Sequence, residues 1–371
     1  MEQRIITAED NYYALDQWFV ENAVNSLLLV CDSSIEYQKS IAAHLKELES
    51  SGISITYFSN FVPNPHYESV VEGVSLFRER SCNGIFALGG GSAIDVAKCI
   101  KLYSNMDDSR CYLDQVVVPN DIPFIAMPTT AGTGSEATRY AVVYLNDEKQ
   151  SITGESCIPQ TVLLDHNSLK TLPLYQKKST MMDALCHAVE AFWSVNSTDE
   201  SKEYSRRAIE GVLNNMDGYL GNTEEGNHGM LMAANQAGRA INITQTTAGH
   251  AMCYKLTSRL GVSHGHAAIL CDRVLFPWMV QNTDKCIDPR GEEYLKATLE
   301  ELAQLFGYAS AADGAQCLEE IFEKLELSIP EVSDNEIDVL KNSVNPVRLK
   351  NHPIKLDVDT IEMLYRSILK I

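Results

Sequence analysis

The sequence predicts an α/β, doubly wound dinucleotide-binding domain followed by an all-α metal-binding domain. Three observations carry that reading. Short β-rich runs alternate with amphipathic helical runs up to about residue 165, only helical patterns follow Thr171-Leu172-Pro173, and two Gly-rich turns come straight after apolar strands in the first half. Strand–helix alternation builds a parallel sheet with helices on both faces. A boundary at 168/169 splits the 371 residues into 1–168 and 169–371, two domains of ordinary size.

In the first half, Ser26–Cys31, Ile53–Phe58, Gly84–Leu88, Phe124–Met127, Tyr140–Leu145 and Thr161–Leu164 read as strands, with helices over Ile35–Leu48, Tyr67–Arg80 and Ser92–Tyr103. In the second half, helical periodicity runs through Ser179–Trp193, Glu200–Tyr219, Met230–Asn242, Thr247–Leu260, Ala267–Val280, Glu292–Phe306, Ala315–Leu325 and Asp359–Leu369. A formal charge of −20 and a pI of about 4.8 set a field that repels nucleic acid and anionic membrane. Met1-Glu2-Gln3-Arg4 does not open a leader pattern, and no run approaches the roughly 18 apolar residues of a membrane span, so a cytoplasmic protein is expected. Ten cysteines lie scattered, many in apolar segments and none in a C-x-x-C pair, which predicts reduced core thiols.

Gly89-Gly90-Gly91 joins the strand Gly84–Leu88 to the helix that opens at Ser92. Glycines there let a backbone approach a pyrophosphate, and the free N–H groups of a helix N-terminus favour its charge. The turn is not a G-x-G-x-x-G fingerprint, and Ser92-x-x-Asp95 also fits a plain capping box. A second small-residue turn, Pro128–Thr138, follows Phe124–Met127. Two such loops at strand C-termini are what a cofactor crevice needs.

The second half carries the metal signal. Asp183-x-x-x-His187 lies in an apolar-periodic run without Gly or Pro, so carboxylate and imidazole share a helix face. His250 and His264 are 14 residues apart, roughly 21 Å on one unbroken helix. Gly261 offers a left-handed stop that turns the chain back and lets both reach one ion. One carboxylate and three imidazoles suit Fe(II), Zn(II) or similar ions rather than Ca or Mg.

Gly89-Gly90-Gly91-Ser92, the Pro128–Glu136 loop, Asp183-x3-His187, and His250 with His264-Gly265, in this order and spacing, resemble the iron-dependent (group III) alcohol dehydrogenases along essentially the whole chain. The resemblance implies that family's two-domain architecture, shared with dehydroquinate synthase-like proteins, and a nicotinamide cofactor with Fe(II), sometimes Zn(II). It implies a homodimer or larger homo-oligomer, across whose interface Arg4–Thr7 could pair. By resemblance the metal ligands are Asp183, His187, His250 and His264, and the cofactor contacts are Asp32, Asn64, Gly90, Gly91, Ser92, Asp95, Thr129, Thr130, Thr133, Thr138 and Lys149. Dehydroquinate synthase-like cyclases hold their metal with a different ligand pattern, which argues against a lyase.

The chain departs from the family where many members carry a proton-relaying His four residues after the third ligand. Here that position is Tyr254, which keeps a hydroxyl but titrates far from neutrality and equally fits a packing role. His266 is the other catalytic candidate. Asp32, at the end of what reads as the first strand, can bind the ribose hydroxyls of NAD(H) and repel the 2′-phosphate of NADP(H), although a helix cap before Ser33-Ser34 is an alternative. The segment 240–257, with Arg139, looks most like the phosphonoacetaldehyde reductase branch. An acidic protein that takes a phosphonate needs local cations, and Arg139, Arg239, Lys255 and Arg259 are the candidates. The expected reaction is aldehyde–alcohol interconversion, phosphonoacetaldehyde to 2-hydroxyethylphosphonate first, with simple short-chain alcohols or diols as the alternative.

Overall fold

The computed structural model describes residues 3–9, 11–146 and 148–371; the first two residues of the N-terminal stretch read above for a leader lie outside them. The chain forms two compact units, Met1–Leu172 with Asn222–Leu231, and Pro173–Gly221 with Met232–Ile371.

The first unit contains β1 (Arg4–Thr7), α1 (Tyr13–Glu21), β2 (Ser26–Cys31), α2 (Lys39–Ser50), β3 (Ser54–Phe58), α3 (Tyr67–Glu79), β4 (Gly84–Gly89), α4 (Gly91–Tyr103), β5 (Phe124–Pro128), β6 (Tyr140–Leu145), β7 (Glu148–Thr153) and β8 (Thr161–Leu164). Six strands form a parallel sheet in the order β1-β8-β5-β4-β2-β3, and β6-β7 is a separate antiparallel hairpin. Leu27, Leu29, Phe86 and Leu88 pack with Trp18 and Phe19 of α1 and Ile41 and Leu45 of α2. The alternate residues Leu28, Val30, Ile85 and Ala87 pack with Val70 and Val74 of α3 and Val96 and Ile100 of α4. Both faces are covered, so the strands read as continuous apolar runs. Each fully buried Leu or Val in them contributes roughly 1.5–3 kcal/mol.

From β2 the chain winds to β3 on one side and then to β4 on the other. The carboxyl ends of β2 and β4 are therefore neighbours at the point where the winding reverses, with Cys31 in register with Leu88. Crevices at such points hold ligands in open α/β sheets. Three elements were not expected from the pattern. β1 pairs with β8 of its own chain at the sheet edge, which makes Asp32 follow the second strand rather than the first. α1 begins after Tyr12 in a left-handed conformation. β7 is polar and mostly exposed, a strand only because β6 pairs with it.

The second unit is helical: α5 (Leu174–Trp193), α6 (Asp199–Leu220), α7 (Glu224–Thr244, its first residues in the first unit), α8 (Ala248–Leu260), α9 (His264–Gln281), α10 (Glu292–Leu305), α11 (Cys317–Lys324), α12 (Asp334–Asn342), α13 (Pro346–Leu349) and α14 (Val358–Leu369). α5 starts earlier than its periodicity suggests because Pro173 sits at its N-cap and accepts from Lys177 N. From Met181 to Trp193 it is buried on every side, the pattern of a central helix, and α6 and α9 pack against it. Among the described residues no helix is long and apolar enough to cross a membrane.

Candidate metal centre and Gly-rich loops

Asp183 and His187 stand one turn apart on α5. Gly261, in the left-handed conformation at φ 68°, ends α8, and Val262-Ser263 turns the chain into α9. His250 from α8 and His264 from α9 thereby reach the same carboxylate. Asp183 Oδ1 lies 3.4 Å from His250 Nε2, 3.9 Å from His264 Nε2 and 4.0 Å from His187 Nε2. Donors held at ~2.1 Å by one tetrahedral ion sit about 3.4 Å apart, so the atoms of Asp183, His187 and His250, all within 4.8 Å of one another, need a modest contraction to seat a cation, and His264 stands outside that group. Asp183, His187 and His250 form the tightest, fully buried subset. The His264 side chain, 36% exposed, is the open side.

Two glycines make this convergence possible. A Cβ on Gly265 would overlap Ser179 O and lie 2.7 Å from Asp183 N, so α9 can start against the backbone of α5 only with Gly there. A Cβ on Gly249 would collide with Asp272 Oδ1 and come 2.7 Å from Glu190 Oε1.

Glu190, one turn beyond His187, was not singled out from the sequence, though His187-x-x-Glu190 is a same-face spacing that could have pointed to it. Its carboxylate accepts from Thr247 N, Thr247 Oγ1 (2.7 Å), His250 N (2.9 Å) and His250 Nδ1. Those bonds satisfy orphan donors at the start of α8 and, with Nδ1 donating, leave His250 Nε2 aimed at Asp183. Burial alone pushes the Asp183 carboxyl up, yet His187, His264 and His250 hold it well below the carboxylate range. Burial likewise pushes His250 down, but Glu190 and Asp183 raise it to about 10. Burial keeps His187 neutral, down to about 4. The cluster thus favours positive charge in a buried place.

At the sheet switch point, Gly90 caps α4 and so gives it no side-chain cap bond. A Cβ on Gly90 would come no nearer than 3.7 Å to Thr130, and one on Gly91 would come 3.1 Å from Thr133. Asp32 lies beside them: its Oδ2 would be 3.0 Å from a Cβ on Gly89, while Oδ1 accepts from Ser34 N at 2.8 Å, the helix-cap alternative. The Ser92–Asp95 capping box does not form, because Gly90 is the cap. Asp95 accepts instead from Ser135 Oγ (2.6 Å) and Val142 N (3.0 Å), with its carboxyl raised by burial against the pull of Lys98. Lys98, fully buried and unforeseen, donates to Ser135 Oγ and Thr138 Oγ1 (both 3.1 Å) and to Tyr140 O (2.7 Å). Asp95 and Thr138 therefore brace the second loop from behind. Thr129 N is bonded to Gly89 O, which joins the two loops. Asn64, exposed at φ 59°, and Lys149 fall by the hairpin, where Tyr144 faces Lys149 and donates to Pro65 O.

Of the remaining candidates, His266 uses both ring nitrogens, on Tyr175 Oη (3.0 Å) and Ser328 O (2.9 Å). Tyr254 tilts over His264 at 5.4 Å between centroids, and burial raises its hydroxyl far above neutrality. Arg139 is in the first unit, paired with Glu155 at 2.6 Å. Arg239 donates to Asn235 Oδ1 and lies over Tyr204. Arg259 is exposed and holds Glu336 through two nitrogens. Lys255 is half-buried. Arg348, missed in the sequence, stacks on Tyr254 at 5.2 Å.

A family model described as iron-containing alcohol dehydrogenase matches residues 2–166, and one for the C-terminal part of the Fe-containing alcohol dehydrogenase family matches 177–369. The probable alcohol dehydrogenase EutG of Escherichia coli is 30% identical over 69% of this chain and 65% of its own length. The phosphonoacetaldehyde reductase of Streptomyces viridochromogenes is 32% identical over 60% of each chain. The chain thus spans less than two thirds of either relative. An iron-containing alcohol dehydrogenase from Thermotoga maritima superposes with a TM-score of 0.82 at 26% identity, covering 100% of this chain and 99% of that one. With both halves matched in order and the four-donor cluster between α5, α8 and α9, the chain belongs to the iron-containing alcohol dehydrogenase family.

Proposed function

We propose that this protein is a metal-dependent, nicotinamide-dependent oxidoreductase that interconverts an aldehyde and a primary alcohol. The observation that carries the reading is that nitrogens of His187, His250 and His264 all lie within 4.0 Å of one Asp183 oxygen. Those four residues would hold Fe(II) or Zn(II), and Asp32, Gly90, Gly91, Thr130 and Thr133 would hold NAD(H) at the switch point, its diphosphate on the open N–H groups of α4. When bound, the metal supplies Lewis-acid polarisation of the substrate oxygen and the nicotinamide supplies or accepts hydride. The chain's own residues do the rest. Glu190 fixes the His250 ring, Gly249 and Gly265 let the helices close on the site, and Asp183, His187 and His250 are themselves buried. Asp32 beside Gly89 favours NAD(H) over NADP(H), because its charge would oppose a 2′-phosphate.

For the substrate, we favour phosphonoacetaldehyde, reduced to 2-hydroxyethylphosphonate. The 32% identity to a protein of that name supports it. Simple short-chain aldehydes are the second reading, favoured by the pairing of Arg139 with Glu155 and of Arg259 with Glu336. Purified protein is assayed for NADH and NADPH oxidation with phosphonoacetaldehyde, acetaldehyde and propanal, with bound metal measured on the same sample. At least about tenfold higher kcat/KM for phosphonoacetaldehyde, on the order of 1.4 kcal/mol in the transition state, supports the first substrate. Comparable rates with propanal leave the second. No NADH oxidation with any aldehyde in metal-loaded protein refutes the oxidoreductase reading.

A further inference from the structure

The metal cluster is sealed by α5 and α8 except where His264 faces out. Tyr254 lies against that exposed ring, and the guanidinium of Arg348, on α13, lies over the Tyr254 ring, 5.2 Å from its centroid. Its Nη1 is pinned by Thr246 Oγ1 at 2.7 Å, in the turn that precedes α8. Asn345 caps α13 through Val347 N, and α13 packs on α8, so the cation stands on a short braced helix rather than a loose loop.

Its lack of a carboxylate is the telling point. Acidic residues outnumber basic ones 50 to 30, and the half-buried or buried arginines Arg78, Arg139, Arg206, Arg273 and Arg290 each hold an Asp or Glu. Among the described residues Arg348 has no carboxylate partner. Arg239 also lacks one and is held in a like way by Asn235 and Tyr204, but of the two Arg348 is the one joined to the metal cluster, through Tyr254 against His264. A half-buried guanidinium fixed by one nitrogen and an aromatic face keeps a planar N–H edge for a tetrahedral oxyanion, which Arg binds through two parallel bonds.

We propose that Arg348, seated on Tyr254, recognises a phosphonate oxyanion at the far end of the aldehyde substrate, and that Tyr254 is its platform rather than a proton relay. The proposal rests on the oxidoreductase reading and replaces the cations named from the sequence with one that adjoins the open side of the cluster. An acidic protein then attracts a dianion through one local, uncompensated cation, and a neutral aldehyde gains nothing from it.

The test uses metal-loaded wild type, Arg348→Ala, Arg348→Lys, Tyr254→Phe and Tyr254→Leu, with metal content and Tm recorded. It reads the ratio of kcat/KM for phosphonoacetaldehyde to that for propanal, and the competition of methylphosphonate with propanal. Arg348→Ala is expected to lower the ratio about 30- to 100-fold and to remove the competition, while Arg348→Lys recovers part of both. Tyr254→Phe keeps the ring and the ratio; Tyr254→Leu lowers it. A ratio within threefold of wild type in Arg348→Ala at full metal content overturns the proposal. If wild type shows no preference for phosphonoacetaldehyde, the substrate reading fails on its own, and the oxyanion site still stands or falls on methylphosphonate competition and its loss in Arg348→Ala. Should Arg348→Ala unfold, Arg348→Gln, which can still donate to Thr246, takes its place.

Discussion

Glycine sits beside the candidate functional residues in both units, and the two regions use it in opposite ways. At Gly90 a side chain would meet only Thr130, at 3.7 Å, so the missing Cβ leaves room in front of a helix N-terminus, while at Gly91 it would press on Thr133 at 3.1 Å. At Gly249 and Gly265 a side chain would drive into Asp272 and into the backbone of α5, so the missing Cβ is already filled by the protein. One pair borders a helix N-terminus; the other removes space between helices so that the donors of the metal centre approach one another. A Gly next to a functional residue therefore says that something comes close, not what comes close.

Substitutions break or sharpen that contrast. The largest effect is expected at Gly265→Ala: the clash with Ser179 O should push α9 from α5, cost about 3 kcal/mol, and lower bound metal and turnover at least about a hundredfold. Full metal content in this variant would show that the helices can separate without opening the site. Glu190→Gln, with one acceptor oxygen in place of two, should keep part of the cap on α8 and lose the charge that orients His250, weakening metal binding about 10- to 100-fold in a chelator competition. Unchanged affinity would make Glu190 a structural cap alone. Gly91→Ala, in the other unit, should raise the KM for NADH by about tenfold while metal content holds, since only Thr133 must give way. Parallel loss of metal would remove the distinction between the two kinds of glycine.

The smallest effect concerns pH. His352 is buried in the second unit and, among the described residues, neither ring nitrogen has a hydrogen-bond partner; burial lowers its pKa to about 4. Below pH 6.5 the unfolded chain takes up a proton that the folded ring refuses, so stability falls from pH 6.5 towards 4, by about 2 kcal/mol between pH 7 and 5 from this group. His352→Leu should flatten that part of a urea-melt pH series. In the first unit, burial lowers Lys101 to about 8, so its penalty is relieved only as pH rises from 8 towards 10.5. The two units should then respond to pH in separate windows.

Much of this was legible in the sequence. Strands buried on both faces are runs of Leu, Val, Ile and Phe, and Asp183-x3-His187 with a Gly stop at 261 needs only helix geometry to be read. β7 was not legible, because Glu148–Thr153 is polar and owes its strand to β6. The place of β1 in the sheet of its own chain was not legible, because four residues carry no sign of their partner, which lies at Thr161–Leu164. Lys98, Glu190 and Arg348 were missed for a common reason. Each looks like an ordinary charged residue on a helix, and only tertiary packing supplies the hydroxyls, the imidazole or the aromatic ring that gives it a task.

The cysteines give each unit its own reporter. Cys31, Cys82, Cys99 and Cys157 are buried in the first unit and Cys186, Cys253, Cys271 and Cys317 in the second, while Cys111 and Cys286 are partly exposed, one in each. Burial raises the thiol pKa at Cys99, Cys186, Cys253 and Cys271 well above its ordinary value, so these react with an alkylating reagent only after the surrounding helices open. Timed alkylation followed by peptide mass analysis would then date the opening of each unit separately, without substituting a residue.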